Sequence, residues 1–479
     1  MYNRYKKLFI NSIIQKMAIK TAYELGLERI IASRYANKKE KNSITKTWDF
    51  VKIDEFSDRE DKVLESNETK LIDGSEKKED IKNNIETIKV MNPETINFSD
   101  IIECYFAGST KSYSGYSKMN RNLVFGLSDR NVKIKLEDVS DSVDINKETH
   151  NQIKFLEGTE ISSSAPKIYS MTVPMNVTHE GKKISYTMIE SSSLHKDYCE
   201  KLNLVDEIWV PSNFERQLMK NYNIHPPVYV MPLGVDVSRY KPGCGTINFG
   251  SAVRKFKFLC LSKYSFRKGF DIVIKAFLEE FSNKDDVSLI LVSSPWNVGA
   301  EKRDIHALIH DFQNIKSTIK KTEEDLPHVA LWSKPIAEKD VPKIYNSCDA
   351  FVLISRGEGF SLTVVEAASC GLPVIASNVT AHMDFLNQDN SFLVEPEGFV
   401  KAETCGQLSE IAKLCHFYEG QMFPVFSSHA IEQTKFHMRF IYENYQKAKE
   451  KAQKLRSLII NNYCWDMSID KVYNRLREQ

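Results

Sequence analysis

Short apolar segments alternate with helical segments along most of this 479-residue chain, and this alternation constrains the fold more than any other feature. Such a pattern is typical of parallel strands joined by helical crossovers. Strands are predicted at 101–107, 132–136, 168–173, 184–189, 207–210 and 228–231, and again at 258–261, 287–292, 329–332, 350–354 and 374–376. The sequence therefore predicts an α/β fold with two doubly wound parallel sheets in series.

The two series predict two domains that follow an N-terminal extension. We place the extension at 1–97, the first domain at 98–238 and the second at 239–460, with the segment PLGVD at 232–236 as the connector. Two α/β domains in series usually bind a ligand in the cleft between them, outside the carboxyl ends of their strands.

The extension itself has two parts. Residues 8–25 carry apolar side chains at helical spacing among lysines, which predicts a basic amphipathic helix. We expect it to pack on its own protein, and peripheral contact with a membrane surface or a partner is the alternative. Residues 36–94 are dense in Lys, Glu, Asp and Asn, so little core is expected there.

Composition excludes several classes of protein. Lys and Arg number 65 against 64 Asp and Glu, so the net charge of +1 disfavours a nucleic-acid binder. An apolar stretch of about 18 residues, which a membrane-spanning helix requires, is absent from the sequence. The nine cysteines lack the spacing of metal ligands, which favours reduced thiols and a cytoplasmic location.

The segment at 355–374, SRGEGFSLTVVEAASCGLPV, carries the strongest chemical signal. Gly357 and Gly359 are expected to allow a sharp turn after a strand, and a helix is expected to begin near Ser361. Free backbone N–H groups at a helix start form an anion site. Glu358 and Glu366 lie about two helical turns apart, so both carboxylates can face one cleft. A carboxylate beside an anion site suits a ligand with both phosphate and hydroxyl groups.

This segment resembles the Glu–seven residues–Glu motif of retaining glycosyltransferase family 4, the group 1 glycosyltransferases. Four further segments resemble that family in the same order: SYTMIE at 185–190, DEIWVPS at 206–212, PLGVD at 232–236 and SKYSFRKG at 262–269. The resemblance spans about 101–479 and implies a GT-B fold, with two Rossmann-like domains facing across a cleft. It also implies that the helix at 461–479 packs back on the first domain. The implied activity is transfer of a sugar from a nucleotide-sugar donor with retention of configuration.

The resemblance assigns roles to residues of the second domain. Lys263 and Lys268 match the two basic positions that hold the diphosphate, although the first is more often Arg and Lys lacks its bidentate fork. Glu366 would accept hydrogen bonds from the ribose, and Glu358 would face the transferred sugar. The predicted catalytic residues are Glu358, Lys263 and Lys268. The predicted donor-binding residues are Glu366, Arg267, Gly359, Phe360, Ser361, Leu362, Gly115 and Glu190.

The predictions for the two residues of the first domain have weaker support. Gly115 lies in a Gly/Ser-rich turn predicted over 108–117, between the first strand and a helix predicted at 120–127. Glycine in such a turn lets the backbone approach a ligand. Glu190 ends a strand and should point toward the cleft. Many relatives place a histidine near the transferred sugar, but His179 and His195, the nearby candidates, are expected to be ordinary loop residues.

The remaining expectations concern partners and alternatives. Because the sequence contains no Asp-x-Asp motif, no tightly bound metal or other cofactor is expected. The acceptor is left open among a glycan, a lipid, a protein and a modified base, as is the oligomeric state. The first alternative is a catalytically silent GT-B module that binds nucleotide-sugar or glycan as an assembly partner. The second is a nucleotide-sugar epimerase of the same fold.

Overall fold

The computed structural model describes residues 101–479, apart from 113, 141, 144, 173, 175–176, 294–300, 333–335 and 408–417. The amphipathic helix and the charged segment expected before residue 97 lie outside the described residues. Within the described part of the chain, no helix combines the length and the apolar character needed to cross a membrane.

The first sheet has six parallel strands in the order β2-β1-β3-β4-β5-β6. Its strands are β1 (Glu103–Gly108), β2 (Lys133–Asp138), β3 (Lys167–Ser170), β4 (Lys183–Tyr186), β5 (Glu207–Val210) and β6 (Val228–Val230). Its helices are α1 (Gly115–Ser128), α2 (Lys147–Glu157), α3 (Lys196–Leu202) and α4 (Asn213–Met219). The strand order reverses beside β1, so the carboxyl end of β1 is a switch point of this sheet.

The second sheet also has six parallel strands, in the order β12-β11-β10-β7-β8-β9. Its strands are β7 (Phe256–Leu261), β8 (Val287–Val292), β9 (His328–Trp332), β10 (Ala350–Leu353), β11 (Val374–Ser377) and β12 (Phe392–Val394). Its helices are α5 (Phe270–Glu280), α6 (Glu301–Thr318), α7 (Val341–Asn346) and α8 (Leu362–Ser369). When the strands are numbered from the start of the second domain, their order is that of a dinucleotide-binding sheet. The switch point of this sheet lies between β7 and β10.

The remaining elements follow the second sheet. An antiparallel ribbon pairs β13 (Phe399–Lys401) with β14 (Met422–Pro424). Three helices then lead to the C-terminus: α9 (Ser428–Glu443), α10 (Tyr445–Asn462) and α11 (Trp465–Arg477). The last of them packs on the first domain, where Arg475 donates to both carboxylate oxygens of Glu207 at 2.7 Å.

The prediction of two parallel α/β sheets in series is confirmed, and its main local error concerns α1. We expected a turn over 108–117 and a helix from residue 120, whereas α1 begins at Gly115. The reason is a cap that the residue types allow: the hydroxyl oxygen of Ser114 accepts a hydrogen bond from the Ser117 N–H at 3.1 Å. Gly115 is therefore the first residue of a helix and not part of the turn.

Candidate active site

A cavity of about 600 Å³ lies where the carboxyl ends of the two sheets face each other. Its lining comes from both domains and includes every residue of the predicted site: Gly115, Glu190, Lys263, Arg267, Lys268, Glu358, Gly359, Phe360, Ser361, Leu362 and Glu366. The histidines of the first domain lie elsewhere. His179 pairs with the carbonyl oxygen of Ala165, and His195 accepts from the Asp197 N–H at the start of α3.

The topology of the second sheet explains why the motifs meet. β7 and β10 are neighbours at the switch point, so the basic loop at 262–269 and the acidic turn at 355–361 leave the sheet side by side. Gly269 adopts a left-handed conformation with φ 66°, and a Cβ there would overlap the carbonyl oxygen of Ile354. Glycine thus lets the end of the basic loop pack against the end of β10.

Gly357 and Gly359 are needed for a reason other than the sharp turn that we expected. Neither has a positive φ. A Cβ at Gly357 would overlap the carbonyl oxygen of Glu190, and a Cβ at Gly359 would lie 2.9 Å from the side chains of Met188 and Glu215. All three neighbours belong to the first domain. The two glycines therefore allow the walls of the cleft to approach each other.

Glu358 is a buried carboxylate held by the cations of the basic loop. Its Oε1 lies 2.6 Å from Lys268 Nζ and 3.7 Å from Arg267 Nη1. Burial alone would raise the pKa of Glu358, but Lys268 and Arg267 lower it to about 2. Burial and the neighbouring Arg267 lower the pKa of Lys268, against the attraction of Glu358. We conclude that Glu358 is ionised at neutral pH.

Arg267 links the two domains. Its Nη2 donates to Glu190 Oε1 at 2.9 Å, and its Nη1 donates to the carbonyl oxygen of Gly357. The guanidinium thus uses one donor for a contact between the domains and another for a contact within its own domain. Lys263, by contrast, is exposed on the same loop where it lines the cavity. Phosphate binding by these residues stays a prediction.

The start of α8 has the features of an anion site. Ser361, its N-cap, is left-handed with φ 80° and ψ 67°. The Ser361 hydroxyl is buried and has no hydrogen-bond partner in the described part of the chain. The first N–H groups of a helix lack partners within that helix, and the helix dipole places positive charge there. An anion in the cavity would satisfy these donors.

Glu366 is held by residues that the sequence did not point to. Lys118 of α1 forms an ion pair with Oε1, and the Tyr345 hydroxyl donates to Oε2 at 2.8 Å. Lys118 Nζ also donates to the Tyr240 hydroxyl at 3.0 Å. Lys118 lies one turn after Gly115, so its presence on the same face of α1 could have been anticipated. The approach of Tyr240 and Tyr345 depends on tertiary packing.

Two further buried polar residues flank the acidic turn, and the sequence did not point to them either. Glu215 of α4 is fully buried, and neither carboxyl oxygen has a hydrogen-bond partner among the described residues. Burial raises the pKa of Glu215 well above its usual value, and the nearby Glu190 and Asp384 carboxylates raise it further. His382 is equally buried, and burial lowers its pKa. Burial thus favours the uncharged form of both side chains.

Residues 255–405 match the family model of glycosyl transferases group 1. The matched residues lie within the second domain. Mannosylfructose-phosphate synthase of Agrobacterium fabrum is 27% identical over 172 residues, which is 34% of this chain and 35% of the relative. A GDP-mannose-dependent phosphatidylinositol monomannoside mannosyltransferase of Corynebacterium glutamicum is 25% identical over 242 residues, 47% of this chain and 55% of the relative. The matches thus span about a third to just over half of the length of these relatives.

Solved structures extend the likeness to both domains. Anabaena HepE, crystallised with UDP and glucose, superimposes with a TM-score of 0.54 at 12% identity, over 79% of this chain and 100% of its own. A glycosyltransferase of Rickettsia africae gives a TM-score of 0.55 at 13% identity, over 79% of this chain and 98% of its own. At such identities the likeness concerns the fold. The predicted GT-B fold is confirmed.

Proposed function

We propose that this protein is a retaining hexosyltransferase that moves a sugar from a nucleotide-sugar donor to an acceptor. One observation carries the proposal. The open start of α8, the cations of the basic loop and the carboxylates Glu358 and Glu366 line a single cavity between two Rossmann-like domains. A nucleoside diphosphate sugar has the matching sequence of groups: a ribose diol, a diphosphate and a sugar.

The diphosphate fits the basic end of the cavity. Lys263 and Lys268, with the N–H groups that follow Ser361, would bind its oxygens. As the bond from the sugar to the phosphate breaks, negative charge grows on the leaving diphosphate, and fixed cations and N–H groups stabilise that charge. This electrostatic role supports the further proposal that no protein-bound metal is required.

The two carboxylates fit the two ends of the donor. Glu366 would accept hydrogen bonds from the ribose hydroxyls, which change little during the reaction. Glu358 would face the sugar, where positive charge develops as in other glycosyl transfers. Retention of configuration rests on the spacing of these glutamates, which resembles that of the retaining family, and on the common cavity that they line.

Donor and acceptor are the open parts of the proposal. HepE was crystallised with UDP and glucose, and the Corynebacterium relative is named for GDP-mannose, so both uridine and guanosine donors belong in the test. A glycan, a lipid, a protein and a modified base remain the candidate acceptors. We place the enzyme in the cytoplasm, with its basic N-terminal helix as the segment to test for membrane contact.

The test is a panel of UDP-sugars and GDP-sugars. We expect one donor to be hydrolysed slowly without acceptor, and the first product seen by NMR to keep the anomeric configuration of the donor. Hydrolysis should persist in a chelator. Glu358→Gln should abolish it, whereas Glu200→Gln, on an exposed face of α3, should not. Binding of a donor without hydrolysis or transfer would favour the silent module, and a free sugar epimerised at C2 would favour the epimerase.

A further inference from the structure

We propose that Lys118 of the first domain is a positioning residue of the donor site: it pairs with Glu366 and orients its carboxylate, so that both domains complete the ribose subsite. The inference rests on the proposed function, because it takes Glu366 as the group that binds ribose. It adds a residue from the opposite wall of the cleft, and it makes donor affinity depend on how the two domains meet.

The contacts of Lys118 converge on one carboxylate. Its ammonium forms an ion pair with Glu366 Oε1, donates to the Tyr240 hydroxyl at 3.0 Å and lies 4.8 Å from the centre of the Tyr240 ring. The side chain of Lys118 is 21% exposed and that of Glu366 is 5% exposed. The ammonium is thus directed at Glu366 from α1, across the cleft.

The other contacts of Glu366 leave room for a diol. The Tyr345 hydroxyl donates to Oε2 at 2.8 Å, and the rings of Tyr240 and Tyr345 meet edge to face at 6.0 Å. A carboxylate offers about four lone-pair directions. With one direction on each oxygen occupied, each oxygen retains one for a ribose hydroxyl, and the tyrosines fix the plane of the carboxylate.

Lys118 is the cation that compensates this buried carboxylate. Removing a carboxylate from water is costly unless a cation is paired with it. Burial alone would lower the pKa of Lys118, but the Glu366 carboxylate raises it above its usual value. Tyr240, Tyr345 and Cys370 are the other titratable groups facing Glu366, and Glu338 faces Lys118. Lys118 is thus the cation opposite Glu366 in this group.

The experiment measures affinity for UDP and GDP by titration calorimetry at pH 7. We expect Lys118→Met to bind the preferred diphosphate about tenfold to a hundredfold more weakly than the wild type. Lys118→Arg should retain most of the affinity.

A double variant separates positioning from a general structural role. If Lys118 acts through Glu366, the combination of Lys118→Met with Glu366→Gln should bind no more weakly than Glu366→Gln alone. This pair also removes both members of the buried ion pair, so it should fold even if Lys118→Met does not. Lys111→Met is the matched control, because Lys111 pairs with Asp138 and Glu157 outside the cavity.

The outcomes are distinct. Normal binding by Lys118→Met, an equally large loss in Lys118→Arg, or additive losses in the double variant would each overturn the inference while leaving the proposed function intact. If the wild type binds neither diphosphate, the proposed function itself fails.

Discussion

The two glutamates of the Glu–seven residues–Glu motif show how residues of one motif can be held in different ways. Lys268 and Arg267, cations of the same domain, stabilise the ionised form of Glu358. Glu366 is held by a lysine from the other domain and by a tyrosine. Under the proposed function, the first carboxylate faces the transferred sugar and the second binds the ribose.

We predict that Glu358→Gln and Glu366→Gln fail differently. Glu366→Gln should weaken binding of UDP or GDP by about 1.5–3 kcal/mol, because charged hydrogen bonds to ribose are lost. Glu358→Gln should lower turnover, because its interaction with the sugar strengthens in the transition state. Its diphosphate affinity should be kept or increased, since Lys268 loses its competing carboxylate. Calorimetry with the diphosphate and a donor-hydrolysis assay check both, and the reverse pattern would exchange the two roles.

The sequence predicted which motif residues line one cavity and part of the reason. The basic loop and the acidic turn each directly follow a predicted strand, and this local pattern places their residues at the carboxyl end of a sheet. The ion pair of Lys118 with Glu366 joins positions 248 apart, and no local pattern encodes it. The sequence predicted that a glycine is needed at 357. The reason is the close approach of the Glu190 carbonyl, which belongs to the other domain.

At the scale of elements, the short apolar segments predicted the strands well. Parallel strands that are covered on both faces are apolar along their whole length. β5, β8 and β10 are fully buried along their length, and the first two have the bounds that we predicted. Short 3₁₀ helices such as Thr380–Asp384 were not predicted, since they depend on tertiary contacts and not on periodicity.

The attachment of α11 to β5 rests on a buried charged group that can be tested. Glu207 is fully buried and accepts from Arg475 and from Trp209 Nε1, with Lys182 at 2.9 Å. Burial alone would raise the pKa of Glu207, but these partners lower it to about 2. A carboxyl with a lowered folded-state pKa stabilises the fold above its unfolded pKa, and that stability is lost as pH falls toward 2.

We therefore predict that Arg475→Met lowers the free energy of unfolding by about 3 kcal/mol at pH 7, because it leaves a buried carboxylate without its main partner. The difference from the wild type should shrink as pH falls below about 4, where Glu207 of the variant is protonated. Arg477→Met, two residues later and exposed, is the control and should change stability little. Denaturant unfolding at several pH values measures the stability of the wild type and of both variants. An equal effect of the two substitutions would show that Glu207 does not anchor α11.

At the scale of the whole molecule, the two domains meet along the cleft at several points besides the ion pairs. The N–H groups of Asn213 and Phe214 donate to Asp384, the latter at 3.1 Å. The Ser192 N–H donates to the Met422 carbonyl at 2.9 Å, and the Met422 N–H donates to Ser193 Oγ at 2.7 Å. The sequence predicted that two domains face each other. How closely they approach depends on these contacts, in which backbone groups of one domain meet a backbone or side-chain group of the other.

The closest of these approaches gives the last prediction. A methyl group at Gly357 would overlap the Glu190 carbonyl oxygen, so Gly357→Ala should hold the walls of the cleft apart while each domain stays folded. A displacement of about 1 Å can cost about a hundredfold in rate when reacting groups must be aligned, so we expect a loss of that order in transfer or donor hydrolysis. Thermal unfolding should change little. Gly158→Ala is the matched control, because a Cβ at Gly158, at the end of α2, makes only ordinary contacts at 3.5 Å and beyond. Full activity in Gly357→Ala would mean that the reaction does not require the close approach of Gly357 and Glu190, and that the ion pairs across the cleft can form without it.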